Sequence, residues 1–565
     1  MKKYVLLLAC VLGTGSLWAQ ALPKWAVKAK KAVFSVVTYD KDNKILNTGN
    51  GFYIDENGTA VSDFTVFKDA HRAVVVTAEG KELPVTMILG ANDMYDVVKF
   101  RTKVNKKSAA VLPAVKAPAL GETVYVLPYA TQKEAMGRTG TVARLDSIAN
   151  QSFYYTLNMK TSDKTVSCPL VNTAGEVVGL IQKNSDSESE ESYALGIGFA
   201  KALSINAMSG SDNNLNAIGI KKDLPDDEDQ ALVMLYFMST QADDATYLGR
   251  LKDFIAKFPE SAEGRLRMAT YYMSLNDDAS IKPAEENIKE ALKITKDPAE
   301  THYSLAKLLY NYNIGLNGQP AKGNWTLDRA ASEIKEALDI AKEGLYYQIQ
   351  GDILFAQNKY ADAANAFAEV NKSKLASAAS FYSEAKAREL IEGVDQQQVI
   401  ALLDSAVAFY NPPYGQEAAP YLFERGRIKS ADKKHREAVL DYNAFHEAML
   451  GQVTAEFYAL RAEEEVACHM NQQALDDITK ATEMEPGNVD YWTQKSGILI
   501  RFNQQQQAIE TINKAIALNP KDAGLYRMLG FCQIMLKQKK EGLTNLKKAK
   551  DMGDEVAEKL IQKYK

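Results

Sequence analysis

Two hydrophobic rhythms divide the chain. Across residues 24–208, short β-branched and aromatic runs (33–39, 51–54, 73–77, 97–100 and 123–127) alternate with Gly, Asn and Asp turns. Short runs bounded by turn residues predict strands, and their steady return predicts an all-β barrel or sandwich. From residue 231 to 565 the apolar positions fall into paired helical segments and predict an all-α array. Between them, residues 209–230, rich in Asn, Asp and Gly, predict an interdomain linker.

The helical half repeats itself. Tyr458, Trp492 and Tyr526 form one column at a spacing of 34; Ala474, Ala508 and Gly542 form a second, and Ala481, Ala515 and Ala549 a third. Pro486 and Pro520 are also 34 apart. An aromatic opening the first helix of each pair is expected to fill the groove against the previous pair. Small residues suit places where paired helices cross closely, and proline marks the break between repeats. In these columns the segment resembles the tetratricopeptide repeat (TPR) family. Tyr347, Gly351, Ala363 and Phe367 fit one looser copy, and Gly426 and Ala438 another. Residues 266–272, 303–310 and 330–340 read as divergent helices, with residues 311–325 lengthening a loop. The expectation is eight or nine helical pairs, closed by a polar capping helix over residues 551–565. The resemblance implies a TPR solenoid whose concave groove binds protein or peptide ligands.

The amino-terminal strands carry motifs in a particular order. Residues 49–58 (Gly-Asn-Gly-Phe-Tyr-Ile-Asp-Glu-Asn-Gly) form a hairpin, and residues 96–100 (Asp-Val-Val-Lys-Phe) a strand opened by an acid. Residues 121–124, 137–142, 169–179 and 196–200 follow. In this order the domain resembles trypsin-like serine peptidases of the HtrA kind, which implies a double β-barrel. The catalytic residues depart from that family. A serine peptidase needs a nucleophile, a histidine base, an orienting acid and donors for the oxyanion. The resemblance puts Thr65 at the histidine, Asp96 at the acid and Val166 at the serine, with Lys164 replacing the oxyanion glycine. Only Asp96 keeps its identity, and without histidine it reads as a structural acceptor. Ser167 and Cys168 are alternative nucleophiles. The domain's single histidine, His71, lies six residues past Thr65, so an active dyad would require two register shifts.

Composition narrows the function further. With 46% apolar residues over 565 positions the chain can fill several cores, and its net charge of −5 argues against nucleic acid. Residues 1–21 read as a signal peptide: Lys2 and Lys3, an apolar run too short to span a bilayer, then small residues with cleavage after Ala19 or Ala21. The alternative is a lipoprotein anchor at Cys10. No later segment is apolar enough to cross a membrane. Cys168, Cys468 and Cys532 are an odd number and no disulfide framework. The loop 184–192 holds four acids among serines but lacks the spaced ligands and glycine of a calcium loop, so it reads as a solvated connection. The expectation is a periplasmic scaffold or adaptor without enzymatic activity, cofactor or metal. Its repeat groove would take one polypeptide, and its degenerate cleft could take an extended peptide by strand addition. The rivals are a divergent peptidase using Cys168 or Ser167 and a structural subunit of an envelope assembly.

Overall fold

Six strands close the first barrel: β1 (Val33–Tyr39), β2 (Ile45–Tyr53), β3 (Thr59–Ser62), β4 (Arg72–Val76), β5 (Glu82–Asn92) and β6 (Val97–Thr102), in the order β1-β2-β3-β6-β5-β4. Six more close the second: β7 (Thr123–Val126), β8 (Arg138–Ile148), β9 (Ser152–Asn158), β10 (Pro169–Val171), β11 (Val177–Ile181) and β12 (Ser192–Gly196), in the order β10-β11-β12-β9-β8-β7. The computed structural model describes residues 24–104, 107–129, 138–149, 151–186 and 188–565. The signal-peptide expectation for residues 1–21, with Cys10, lies outside the described residues, as does Gly137.

Alternation along the strands fills each barrel. Phe34, Phe52 and Phe100 are shut from solvent in the first, and Val124, Leu157, Leu170 and Leu180 in the second. Gly51 is required where β2 crosses β1: a Cβ there would stand 2.6 Å from the Phe34 ring and 2.7 Å from the Val61 carbonyl. Four short helices dress the barrels: α1 (Lys24–Ala29), α2 (Phe64–Phe67), α3 (Ile197–Ala202) and α4 (Asn213–Asn216). Trp25 of α1 donates to the Thr173 carbonyl at 3.1 Å and meets Tyr125 edge-on.

The segment expected as a linker, residues 209–230, is instead largely part of the first barrel's packing. Leu215, Ile218, Ile220 and Leu224 are buried, and Ile88 of β5 bonds its amide to the Lys221 carbonyl and its carbonyl to the Asp223 amide. Four apolar side chains among polar residues suffice to dock the segment, α4 included, although the composition reads as loop. Two helices follow, α5 (Glu228–Gln241) and α6 (Asp244–Lys257). From α6, Arg250 donates to the Lys222 carbonyl and Lys257 to the Leu224 carbonyl, each at 2.6 Å. The chain accordingly divides into two compact units at Gly264 and Arg265, about one helix pair beyond the expected boundary.

The remaining helices are α7 (Ala262–Leu275), α8 (Ile281–Ile294), α9 (Pro298–Gly315), α10 (Leu327–Ile340), α11 (Gly344–Ala356), α12 (Tyr360–Asn371), α13 (Ala378–Glu389), α14 (Gln396–Val407), α15 (Ala419–Ala431), α16 (His435–Ala448), α17 (Ala455–Ala467), α18 (Asn471–Met484), α19 (Val489–Arg501), α20 (Gln505–Leu518), α21 (Ala523–Met535), α22 (Lys539–Asp551) and α23 (Glu555–Tyr564). Among the described residues, α5 packs with α6 in the first unit; in the second, α9 to α22 make seven consecutive pairs, and α23 packs on α22. First helices starting at Ala455, Val489 and Ala523, and second helices starting at Asn471, Gln505 and Lys539, keep a spacing of 34. Residues 311–315, expected in a loop, continue α9. The loop beyond is anchored by Trp325, fully buried and donating 2.8 Å to Glu285 Oε1.

The columns have visible work. Ala474 and Ala508 are fully buried, and a Cβ on Gly542 would stand 2.7 Å from the Gly530 carbonyl where α21 meets α22. The aromatic column serves both its own pair and the previous one. Tyr458 reaches the previous pair, its hydroxyl 3.1 Å from His446 Nε2 of α16. Trp492 packs on a cluster that takes in Ala508 and Ile512 of its own pair with Leu475 of the previous one, and Tyr526 on one that takes in Leu546 and Ala549 with Ile516 of the previous one. The polar tips of these two bond back to the break before them, Trp492 to the Pro486 carbonyl at 2.8 Å and Tyr526 to the Pro520 carbonyl at 3.2 Å. A ring with one polar edge can fill its own pair and pin the preceding turn together.

Candidate functional site

The positions that the resemblance assigns to a triad meet at the junction of the two barrels. β3 ends at Ser62, and Asp63 begins α2, placing Thr65 exposed on that short helix. Asp96, held at φ 42° just before β6, accepts a 2.7 Å bond from the Thr65 amide. The acid therefore holds the backbone at Thr65, where the resemblance puts the histidine. From the second barrel, a single turn at Asp163–Thr165 leads through Val166 and Ser167 into β10.

Two side chains tie these elements across the junction. Asn50 of β2 donates from Nδ2 to the carbonyls of Lys164, at 3.1 Å, and Val166, at 2.8 Å. Its own carbonyl accepts from Ser62 Oγ at 2.6 Å. The second tie is a hydrogen bond from the Ser167 hydroxyl to Asp63 Oδ1. Both partners are buried, Ser167 completely and Asp63 at 7% exposure. Burial pushes the Asp63 carboxyl well above the usual carboxylate range; the nearby Asp96 charge adds to this and Lys183 opposes it. Ser167 holds φ 59°, a left-handed conformation that glycine adopts freely.

The alternative nucleophiles are placed unfavourably. Cys168 is fully buried, and burial pushes its thiol up to about 12, far from the thiolate needed for attack. His71 is exposed just before β4, its Nδ1 3.2 Å from the Asp69 carbonyl and its ring against Gly219. Among the described residues no hydrogen bond joins His71 to Ser167 or Cys168. Asn50 and Asp63 are the site residues that sequence reasoning passed over. Asn50 lies inside the 49–58 motif and Asp63 two residues before Thr65, but nothing local marks either as a clamp between the barrels. In the acidic loop, Glu188 and Glu190 approach Lys160 Nζ at 3.6 and 3.7 Å.

A second candidate surface lies in the helical unit. The first helices α15, α17 and α19, with the end of α16, line a groove of about 820 Å³. No helix among the described residues is long and apolar enough to cross a membrane.

Comparison with curated proteins finds no match to the chain. Residues 49–180, running from β2 to β11, match the family model of the trypsin-like peptidase domain. The two closed barrels are thus those of a trypsin-like peptidase domain, followed along the chain by a helical, solenoid-like region.

Proposed function

We propose that the protein is a polypeptide-binding scaffold of the bacterial cell envelope, in which the trypsin-like domain is a pseudoenzyme and a TPR array is the main working surface. The observation that carries this reading is the buried Asp63–Ser167 bond. Serine-peptidase chemistry needs a histidine facing an accessible nucleophile. Here the junction holds a carboxyl bonded to a hydroxyl, Val166 stands where the resemblance puts the nucleophile, and Ser167 beside it is fully buried. Burial of Cys168 argues equally against thiol attack. Helix starts repeating every 34 residues support the TPR assignment, and an array of that kind presents a long groove suited to other chains. Export rests on the expected signal peptide at residues 1–21.

Activity-based labelling of the full-length protein tests the pseudoenzyme. Neither a fluorophosphonate nor an iodoacetamide probe is expected to modify Ser167 or Cys168 in the folded chain. Labelling that disappears in His71→Ala would overturn the reading in favour of a divergent peptidase. Capture from envelope extract by the full chain is expected to survive Thr65→Ala and Val166→Ala and to fall in groove variants. A chain that self-assembles and captures nothing would support the structural-subunit alternative. Amino-terminal sequencing of the periplasmic protein is expected to start after Ala19 or Ala21.

A further inference from the structure

We infer that the groove lined by α15, α17 and α19 takes a basic polypeptide segment, one with bulky apolar side chains flanked by lysine or arginine. The inference rests on the protein-binding reading above and specifies its partner. The groove floor is aromatic. Phe423, Phe445 and Phe457 pack as a chain of rings, with centroids 5.2 Å apart for the first two and 4.9 Å for the second two. Phe423, Phe445 and Tyr491 are only half-buried, so each keeps a face toward the groove. Rings braced by other rings give a ligand's apolar side chains a preformed surface, with little side-chain entropy lost on binding.

The groove's charge is of one sign. Glu456 and Glu463 of α17 and Asp490 of α19 line it, all three exposed, and no Lys, Arg or His does. Acids nearby in the array already have partners: Asp441 is held by Arg425, Asp477 by Arg461, and Glu464 by His435. Among the described residues, none of the three lining acids has an ion-pair partner within the chain. Their charge is therefore left facing the groove. Carboxylates around an apolar concavity attract a cationic segment and repel an acidic one, giving selectivity that the floor alone cannot supply. The lining comes from three consecutive pairs, so an occupant runs across helices rather than along one.

Fluorescence anisotropy with the full-length protein tests this. The probe is a fluorescein-labelled peptide with a leucine-phenylalanine-leucine core between two lysine pairs, compared with twins flanked by glutamate or serine pairs. The lysine peptide is expected to bind best and the glutamate twin about tenfold or more weaker, with the gap narrowing in high salt. The triple variant Glu456→Gln, Glu463→Gln, Asp490→Asn should erase the preference, while Tyr491→Ala should weaken all three peptides. Circular dichroism of each variant checks that the helices persist. If the three peptides bind alike, or the triple variant keeps the preference, the charge assignment is overturned while protein binding stands. If none binds, the groove assignment is overturned. Envelope capture insensitive to Tyr491→Ala would then leave the scaffold reading intact through another surface.

Discussion

Asp63 is almost wholly buried, bonded to Ser167 and near a second acid, Asp96. Its folded pKa is raised above the ordinary value near 3.8, so the folded state holds its proton more tightly than the unfolded chain. The sign of the linkage follows. Below the unfolded pKa both states are protonated and nothing is lost; as pH climbs through that value toward the folded one, the unfolded state ionises first and the fold is destabilised. Asp63→Asn keeps an acceptor for Ser167 and removes the titration. Its unfolding midpoint relative to the parent is therefore expected to rise from pH 4 to pH 7 in thermal melts. A difference that stays flat across that range would refute a raised Asp63. That the resemblance puts Thr65 and Val166 where the family has histidine and serine is legible in the sequence once the flanking motifs set the register. The Asp63–Ser167 bond is not, because its partners are 104 residues apart.

At the scale of the element, the second unit is held by a repeated polar device as well as by small residues. Arg425 reaches Asp441 with two nitrogens, at 2.6 and 3.0 Å, joining α15 to α16. Arg461 does the same to Asp477, at 2.6 and 2.9 Å, joining α17 to α18. Side chains of Arg461 and Asp477 are only 10% and 11% exposed, so breaking the pair strands a cation in the interior. Asp477→Ala is expected to cost about 3 kcal/mol or more in urea unfolding. Asp476→Ala, one residue away on the exposed face, should change stability by about 0.5 kcal/mol or less. Equal effects would mean the paired charges do not hold the helices together. The 34-residue columns made the last three pairs legible, because small residues and proline are imposed by close crossings and breaks. Earlier pairs were blurred by changes of length, as in α9, whose helix runs five residues into the expected loop.

For the molecule as a whole, the ends of an array matter, since a terminal pair has no neighbour to cover its apolar face. Here α23 supplies the cover: Ala557 and Ile561 pack on Tyr526, Leu546 and Ala549, and Asp554 accepts a 2.8 Å bond from Arg527. Deleting residues 554–565 should lower the thermal midpoint and bring concentration-dependent light scattering; a monodisperse, equally stable truncation would show that α23 is no cap. Alternation of apolar residues and turns by itself determined that residues 24–208 are mainly β, and the 34-residue period that the carboxy-terminal part is paired helices. Both are local consequences of strand and helix geometry. Closure into two six-stranded barrels, the docking of residues 209–230, the boundary at Gly264, the Asp63–Ser167 bond and the acidic aromatic groove were decided only by tertiary structure. Each depends on side chains far apart in sequence, whose meeting no local pattern encodes.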